Sequence, residues 1–260
     1  MLPANAIDPA AAARWLRRTP AAPPWLHAEV ARRMAARLPA IRLPVQRWAQ
    51  WLPALGGGHS TVAAHYPGAE CVPVPPAPPA GSVQMVWANM LAHFSAAAPT
   101  LLAAWCQALS EGGFLMFSCL GPDTLRELRA LYSELDWPPP AQRFIDMHDW
   151  GDALLAAGFS DPVVDMEMLT LSFSTPQRLL EELREIGRNL HPARFSALRT
   201  PRWKNRLLTA MCTHMRGADG AFSLTFEIIY GHAVKTTSPA AAANIPLHEM
   251  RRMLRHRPPF

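Results

Sequence analysis

Lysine is almost absent. Lys204 and Lys235 are the only lysines in a chain of 260 residues, yet the formal net charge is +5. The surplus is therefore arginine, a bias that a GC-rich genome produces by itself and that also favours acidic partners. Cysteine is scarce too. Cys71, Cys106, Cys119 and Cys212 have no CxxC spacing and stand in apolar runs, which argues against a disulfide framework or a zinc site. No N-terminal stretch joins a positive start to an apolar core of secretory length, and no run of about 18 apolar residues could span a bilayer. The expectation is a cytoplasmic chain with no metal and no membrane partner. Nucleic acid is disfavoured, because no recognised motif is present and the aromatics are not interleaved with the cations.

Half of the chain (50%) is hydrophobic, enough for one α/β domain that buries roughly 70–75% of its unfolded surface. Residues 1–26 read as a loose arm, because Pro20, Pro23 and Pro24 deny it a long helix. The spacing of Val30, Met34 and Leu38 predicts a helix over 27–38. Arg47 to Leu52 reads as a strand, followed by Gly56-Gly57-Gly58 and a short helix from His59 to His65. A second strand, Glu70 to Val74, runs into Pro73, Pro75, Pro76, Pro78 and Pro79, where a further helix and strand cannot form.

Strand Val83–Ala88, a helix over 99–109 and strand Phe114–Ser118 follow, and then a helix from Pro122 to Leu135. Asp149 is the expected N-cap of a helix closed by Gly158. A strand over 162–173, helices over 175–186 and 201–215, and a last strand over 222–234 complete the domain. The last strand places Phe222, Leu224, Phe226, Ile228 and Tyr230 on one face. Strands alternating with helices mean βαβ units and a mainly parallel, doubly wound sheet over 27–236. Residues 237–260, with Arg251, Arg252, Arg255 and Arg257, form a basic tail.

Three segments carry a resemblance: Val86-Trp87-Ala88-Asn89-Met90-Leu91-Ala92-His93-Phe94, Gly113 to Ser118, and Leu120-Gly121-Pro122-Asp123-Thr124-Leu125. So do Arg143 to Asp149, Gly158 to Val163 and Leu224 to Ala233. Over about residues 83–235 the chain resembles the malonyl-[acyl-carrier protein] O-methyltransferases of biotin synthesis. That resemblance implies a class I methyltransferase (Rossmann-like) α/β sheet with an antiparallel C-terminal strand, and the proline run implies that its third-strand edge is missing. It also implies S-adenosyl-L-methionine as cofactor, a carboxylate substrate, and acyl carrier protein, or another acidic protein, as partner.

The N-terminal half departs from the family pattern. The acid that should precede the glycine turn is Gln50, and the three glycine positions are Leu52, Ala54 and Gly56. Pro73 to Pro76 stand where an acid would bind the ribose hydroxyls, and no acid stands in Ala77 to Ala80. The family's lid tyrosine has no counterpart between Thr19 and Trp25, although Trp15 or Trp25 could serve as an aromatic cover. Weak or absent cofactor binding is the expectation.

The candidate cofactor residues are Gly56, Gly57, Gly58, Asn89 and Met90. Arg143 is the candidate cation for the substrate carboxylate, a role that suits a planar guanidinium and needs no general base beside it. Arg188, Arg194 and Arg202 are the candidate substrate-binding patch, with a solvated basic face as the plainer alternative. His148 and Asp149 read as structural. Two functions stay open: an active methyltransferase with a reduced cofactor pocket, or a catalytically inactive methyltransferase-like protein acting as a binding or regulatory partner.

Overall fold

A computed structural model describes residues 7–18 and 20–236; the basic tail lies outside them. In chain order the elements are α1 (Pro9–Leu16), α2 (Trp25–Ala35), β1 (Arg47–Trp51), α3 (Pro53–Gly56), α4 (His59–His65), β2 (Glu70–Val74) and β3 (Val83–Ala88). After these come α5 (Ala98–Ala108), β4 (Leu109–Leu120), α6 (Arg126–Glu134), α7 (Met147–Ala156), β5 (Phe159–Phe173), α8 (Pro176–Ile186), α9 (Pro201–His214) and β6 (Phe222–Lys235).

The six strands form one sheet in the order β2-β1-β3-β4-β6-β5. The first four are parallel, and β6 runs antiparallel between β4 and β5. This is the class I methyltransferase order with one edge strand removed. The removal falls where the proline run foresaw it, since residues 75–82 form a connection without a strand.

The central strands are buried on both faces, as parallel strands covered by helices must be. Met85 and Trp87 point into one core with α2, α6, α8 and α9, while Val83, Val86 and Ala88 point into the other with α5 and α7. β6 is central as well. Phe226, Ile228 and Tyr230 join the first core, and Ile229 and Ala233 join the second.

Several expectations need correction. The arm is not loose throughout, because α1 forms within it. Asp8 accepts a hydrogen bond from the Ala11 amide at 3.0 Å, Pro9 opens the helix, and Trp15 is buried against Phe94 with ring centroids 5.9 Å apart. Asp146, not Asp149, caps α7, its carboxylate accepting from the His148 amide at 2.9 Å. The helix expected from Pro122 begins at Arg126, because residues 121–125 make a turn tied to β6. Cys212, although its sequence neighbourhood is apolar, is exposed.

Candidate functional site

Ligands of parallel α/β sheets bind outside the carboxyl ends of the strands. A cavity of about 680 Å³ lies there, between the ends of β1 and β2, the segment after β3, and the end of α1. Its walls are apolar, with Trp51, Leu52 and Pro53 on one side and Val74, Pro75 and Leu101 on the others. Arg17 and Arg18 stand at its rim, and among the described residues no carboxylate lines it.

S-adenosylmethionine is cationic at its sulfonium and amino groups and needs acceptors for its ribose hydroxyls. The cavity has room for such a molecule but the wrong charge for it: among the described residues its ionised lining groups are the cations Arg17 and Arg18. As lined, it does not fit a tightly held S-adenosylmethionine.

The glycine turn faces inward instead. A Cβ on Gly56 would stand 2.8 Å from the Asn89 carbonyl oxygen, and Gly57 has φ of 69° beneath Pro23. The Gly57 carbonyl accepts from Gln50 Nε2 at 2.9 Å and from Trp87 Nε1 at 3.2 Å. Asn89 Nδ2 donates to the carbonyls of His27 and Gly56, and its Oδ1 accepts from Ser118 Oγ at 2.7 Å. The Met90 amide donates to the same Ser118 hydroxyl at 2.9 Å. The structure thus brings the turn and Asn89 together, but their polar atoms are spent on one another and on α2. None of Gly56, Gly57, Gly58, Asn89 and Met90 lines the cavity.

A second, smaller pocket of about 100 Å³ lies beside β4 and includes His93, Phe94, Leu120, Gln142, Phe144 and Arg188. His93 is fully buried. Its Nδ1 accepts from the Leu120 amide at 3.3 Å, so the other nitrogen carries the hydrogen, and that group has no partner. Burial, and then the neighbouring His27, hold the His93 pKa well below the usual histidine value, so the ring is neutral. Arg143 is exposed and does not line this pocket. It lies close enough to Arg129 and His191 for its charge, after burial, to lower the pKa of both.

The presumed basic patch divides. Arg188 and Arg194 share a cleft with Arg14, Arg18 and Trp15, whereas Arg202 stands exposed on α9 outside it. Arg14 and Arg18 were hidden from sequence reasoning inside the supposed arm. Glu227 was not singled out by sequence reasoning either. It is buried in β6, its Oε2 accepts from the Asp123 amide at 2.7 Å, and its backbone carbonyl accepts from the Gly121 amide at 2.9 Å. Burial first, with Asp123 and Asp146 nearby, raises its pKa. The Gly-Pro-Asp-Thr-Leu segment is thereby clamped to the Leu-Thr-Phe-Glu segment of β6. Each was visible in the sequence, but the link between them was not.

No protein-family model matches the chain. It is similar to curated malonyl-[acyl-carrier protein] O-methyltransferases. It is 40% identical to that of Gallionella capsiferriformans over 166 residues, which is 64% of this chain and 56% of the relative. The Laribacter hongkongensis protein is 34% identical over 178 residues, covering 68% of this chain and 59% of its own length. The Legionella pneumophila protein is 37% identical over 157 residues, covering 60% and 55%. The chain therefore spans little more than half the length of the curated relatives it matches.

Among solved structures, phosphoethanolamine N-methyltransferase 2 of Haemonchus contortus superposes on 87% of this chain and 57% of its own. The identity is 16% and the TM-score 0.44. The fold is defined by strand order and direction. No helix among the described residues is long and apolar enough to cross a membrane.

Proposed function

We propose that the chain acts in the O-methylation of a malonyl group borne on acyl carrier protein, the reaction named for its relatives in sequence and a step of biotin synthesis. The observation that supports this best is the 34–40% identity to those relatives, which exceeds what a shared fold alone produces. S-adenosyl-L-methionine is the methyl donor in this reading, and the charge of the strand-end cavity makes weak binding its signature.

A carboxylate is already a nucleophile at neutral pH. The protein must therefore supply alignment, exclusion of water and a cation, and no general base is required. The pocket at His93 and Phe144 gives the dry wall, and neutral His93 offers a hydrogen-bond donor without adding charge. Arg143 is assigned to steer and hold the incoming carboxylate at the pocket's outer side. Gly56, Gly57, Gly58, Asn89 and Met90 hold the turn that shapes the donor side. Arg188, Arg194 and Arg202 attract the acidic carrier protein.

A second reading, a methyltransferase-shaped binding partner without catalysis, is motivated by the cavity rim, where Arg17 and Arg18 stand and, among the described residues, no carboxylate does. One experiment separates the two. Methyl transfer to malonyl-carrier protein is measured with the purified chain at millimolar donor. Turnover that is lost in Arg143→Ala supports catalysis. Binding of the malonyl-carrier protein without turnover selects the second reading, and neither binding nor turnover defeats both.

A further inference from the structure

Trp15, at the end of α1, lines a cleft of about 340 Å³ together with the cations Arg14, Arg18, Arg188 and Arg194. Two guanidinium groups lie over the same indole, Arg18 at 4.7 Å and Arg188 at 5.2 Å from its centroid. They are close enough that the Arg18 charge lowers the Arg188 pKa, second only to burial. Among the described residues one carboxylate answers these four cations, that of Asp8, which binds Arg194 Nη2 at 2.6 Å. Like charges gathered beside an indole ring repel unless an anion joins them, and guanidinium groups bind tetrahedral oxyanions through paired N–H donors.

The cleft is not isolated. Arg188 and Asn189 line both it and the small pocket that holds His93 and Phe144, so the two adjoin. That pocket, of about 100 Å³, is lined mostly by apolar side chains such as Phe94, Leu120 and Phe144.

Building on the carrier-protein reading above, we propose that the cleft of Arg14, Arg18, Arg188 and Arg194 is a phosphate site. It takes the phosphate of a pantetheine-type arm whose thioester end runs into the His93 pocket. The shared chemistry is a phosphate ester with an extended amide chain, and two sources offer it: a holo carrier protein and free coenzyme A. α1 then serves as one jaw of the substrate site. Its position over the domain is part of recognition.

The test is calorimetry of the full chain with phosphopantetheine and with pantetheine, at low and at physiological salt. Phosphopantetheine should bind at least about tenfold tighter, with a margin that narrows as salt screens the cations. Arg18→Gln and Arg188→Gln should each reduce that margin severalfold, while Arg42→Gln, outside the cleft, should keep it. Unchanged circular dichroism and Tm show that the variants are folded. Equal affinity for the two probes, no binding of either, or a margin that survives in both cleft variants would overturn the proposal. Malonyl-coenzyme A and malonylated holo carrier protein then identify the source, since either one binding with dependence on Arg18 supports the site. The binding measurement needs no methyl donor. A chain that binds phosphopantetheine but methylates nothing keeps the phosphate site and loses only the methyltransferase reading.

Discussion

Single residues set the sharpest limits on this fold. Gly231 of β6 stands opposite Phe117 of β4, and a Cβ there would come within 1.9 Å of the Phe117 ring. That ring is packed in turn against Trp105 and Trp150, with centroids 5.9 and 5.5 Å away, so it has nowhere to retreat. Gly231→Ala should therefore destabilise by about 1–3 kcal/mol through overpacking, read as a lower urea midpoint at unchanged slope. An unshifted midpoint would mean that the ring can move.

The buried histidines make a second demand. Burial lowers the His27 pKa to about 4, although its Nδ1 contacts the Leu55 carbonyl at 2.8 Å, and His93 is lowered as well. Between that folded value and the ordinary one near 6.5 the unfolded chain binds more protons. Stability must then fall as pH drops through this window, by up to about 1.4 kcal/mol per pH unit for each histidine. Tm measured between about pH 7 and pH 5 should decline, and His93→Leu should flatten the decline. A flat wild-type profile would show that these rings are not buried neutral.

Among the elements, α1 shows how a short helix can depend on the tertiary structure. Its eight residues are too few to hold a helix in isolation, and what fixes it is Trp15 in a small cluster with Ile7, Phe94 and Leu190. The Asp8 amide donates to the Leu190 carbonyl at 2.8 Å, so the loop before it is tied down too. Trp15→Ala should release α1 while leaving the sheet intact. Amide exchange over residues 10–17 should accelerate by more than about tenfold while the core strands keep their protection. Equal acceleration in β3 and β4 would instead make α1 part of the global folding unit. The long central strands behave in the opposite way, for their apolar runs were enough to place them. β6 announced its inward face by alternation, and only its second buried face awaited the sheet.

At the scale of the whole molecule the decisive feature is the mismatch between the two ends of the site. The strand-end cavity has room for a nucleoside cofactor but arginines where carboxylates are needed, while the substrate side keeps the segments that resemble the family. Losing two charge-assisted contacts of roughly 1.5–3 kcal/mol each weakens binding by about a hundredfold or more. S-adenosylhomocysteine should then bind with a Kd no tighter than about 0.1 mM. Reversing one rim charge by Arg17→Glu should tighten it severalfold. Micromolar affinity in the wild type would show that other groups replace the missing acids.

Much of this was settled by the chain before it folded. Apolar periodicity located the strands and most helices, the proline run between Pro73 and Pro79 removed an edge strand, and Gln50 and Pro73 excluded the cofactor's usual carboxylates. These are local properties, written in side-chain type and backbone freedom. The tertiary structure alone decided what distant residues do together. It turned the glycine turn inward onto Asn89 and α2, and bound Glu227 to a turn more than a hundred positions earlier. It also packed α1, inside the supposed arm, against Phe94 and Leu190 so that Arg14 and Arg18 meet Arg188 and Arg194. Such contacts arise from packing between segments far apart in sequence. No spacing rule records them, because burial and charge at one position depend on neighbours that only the closed fold supplies.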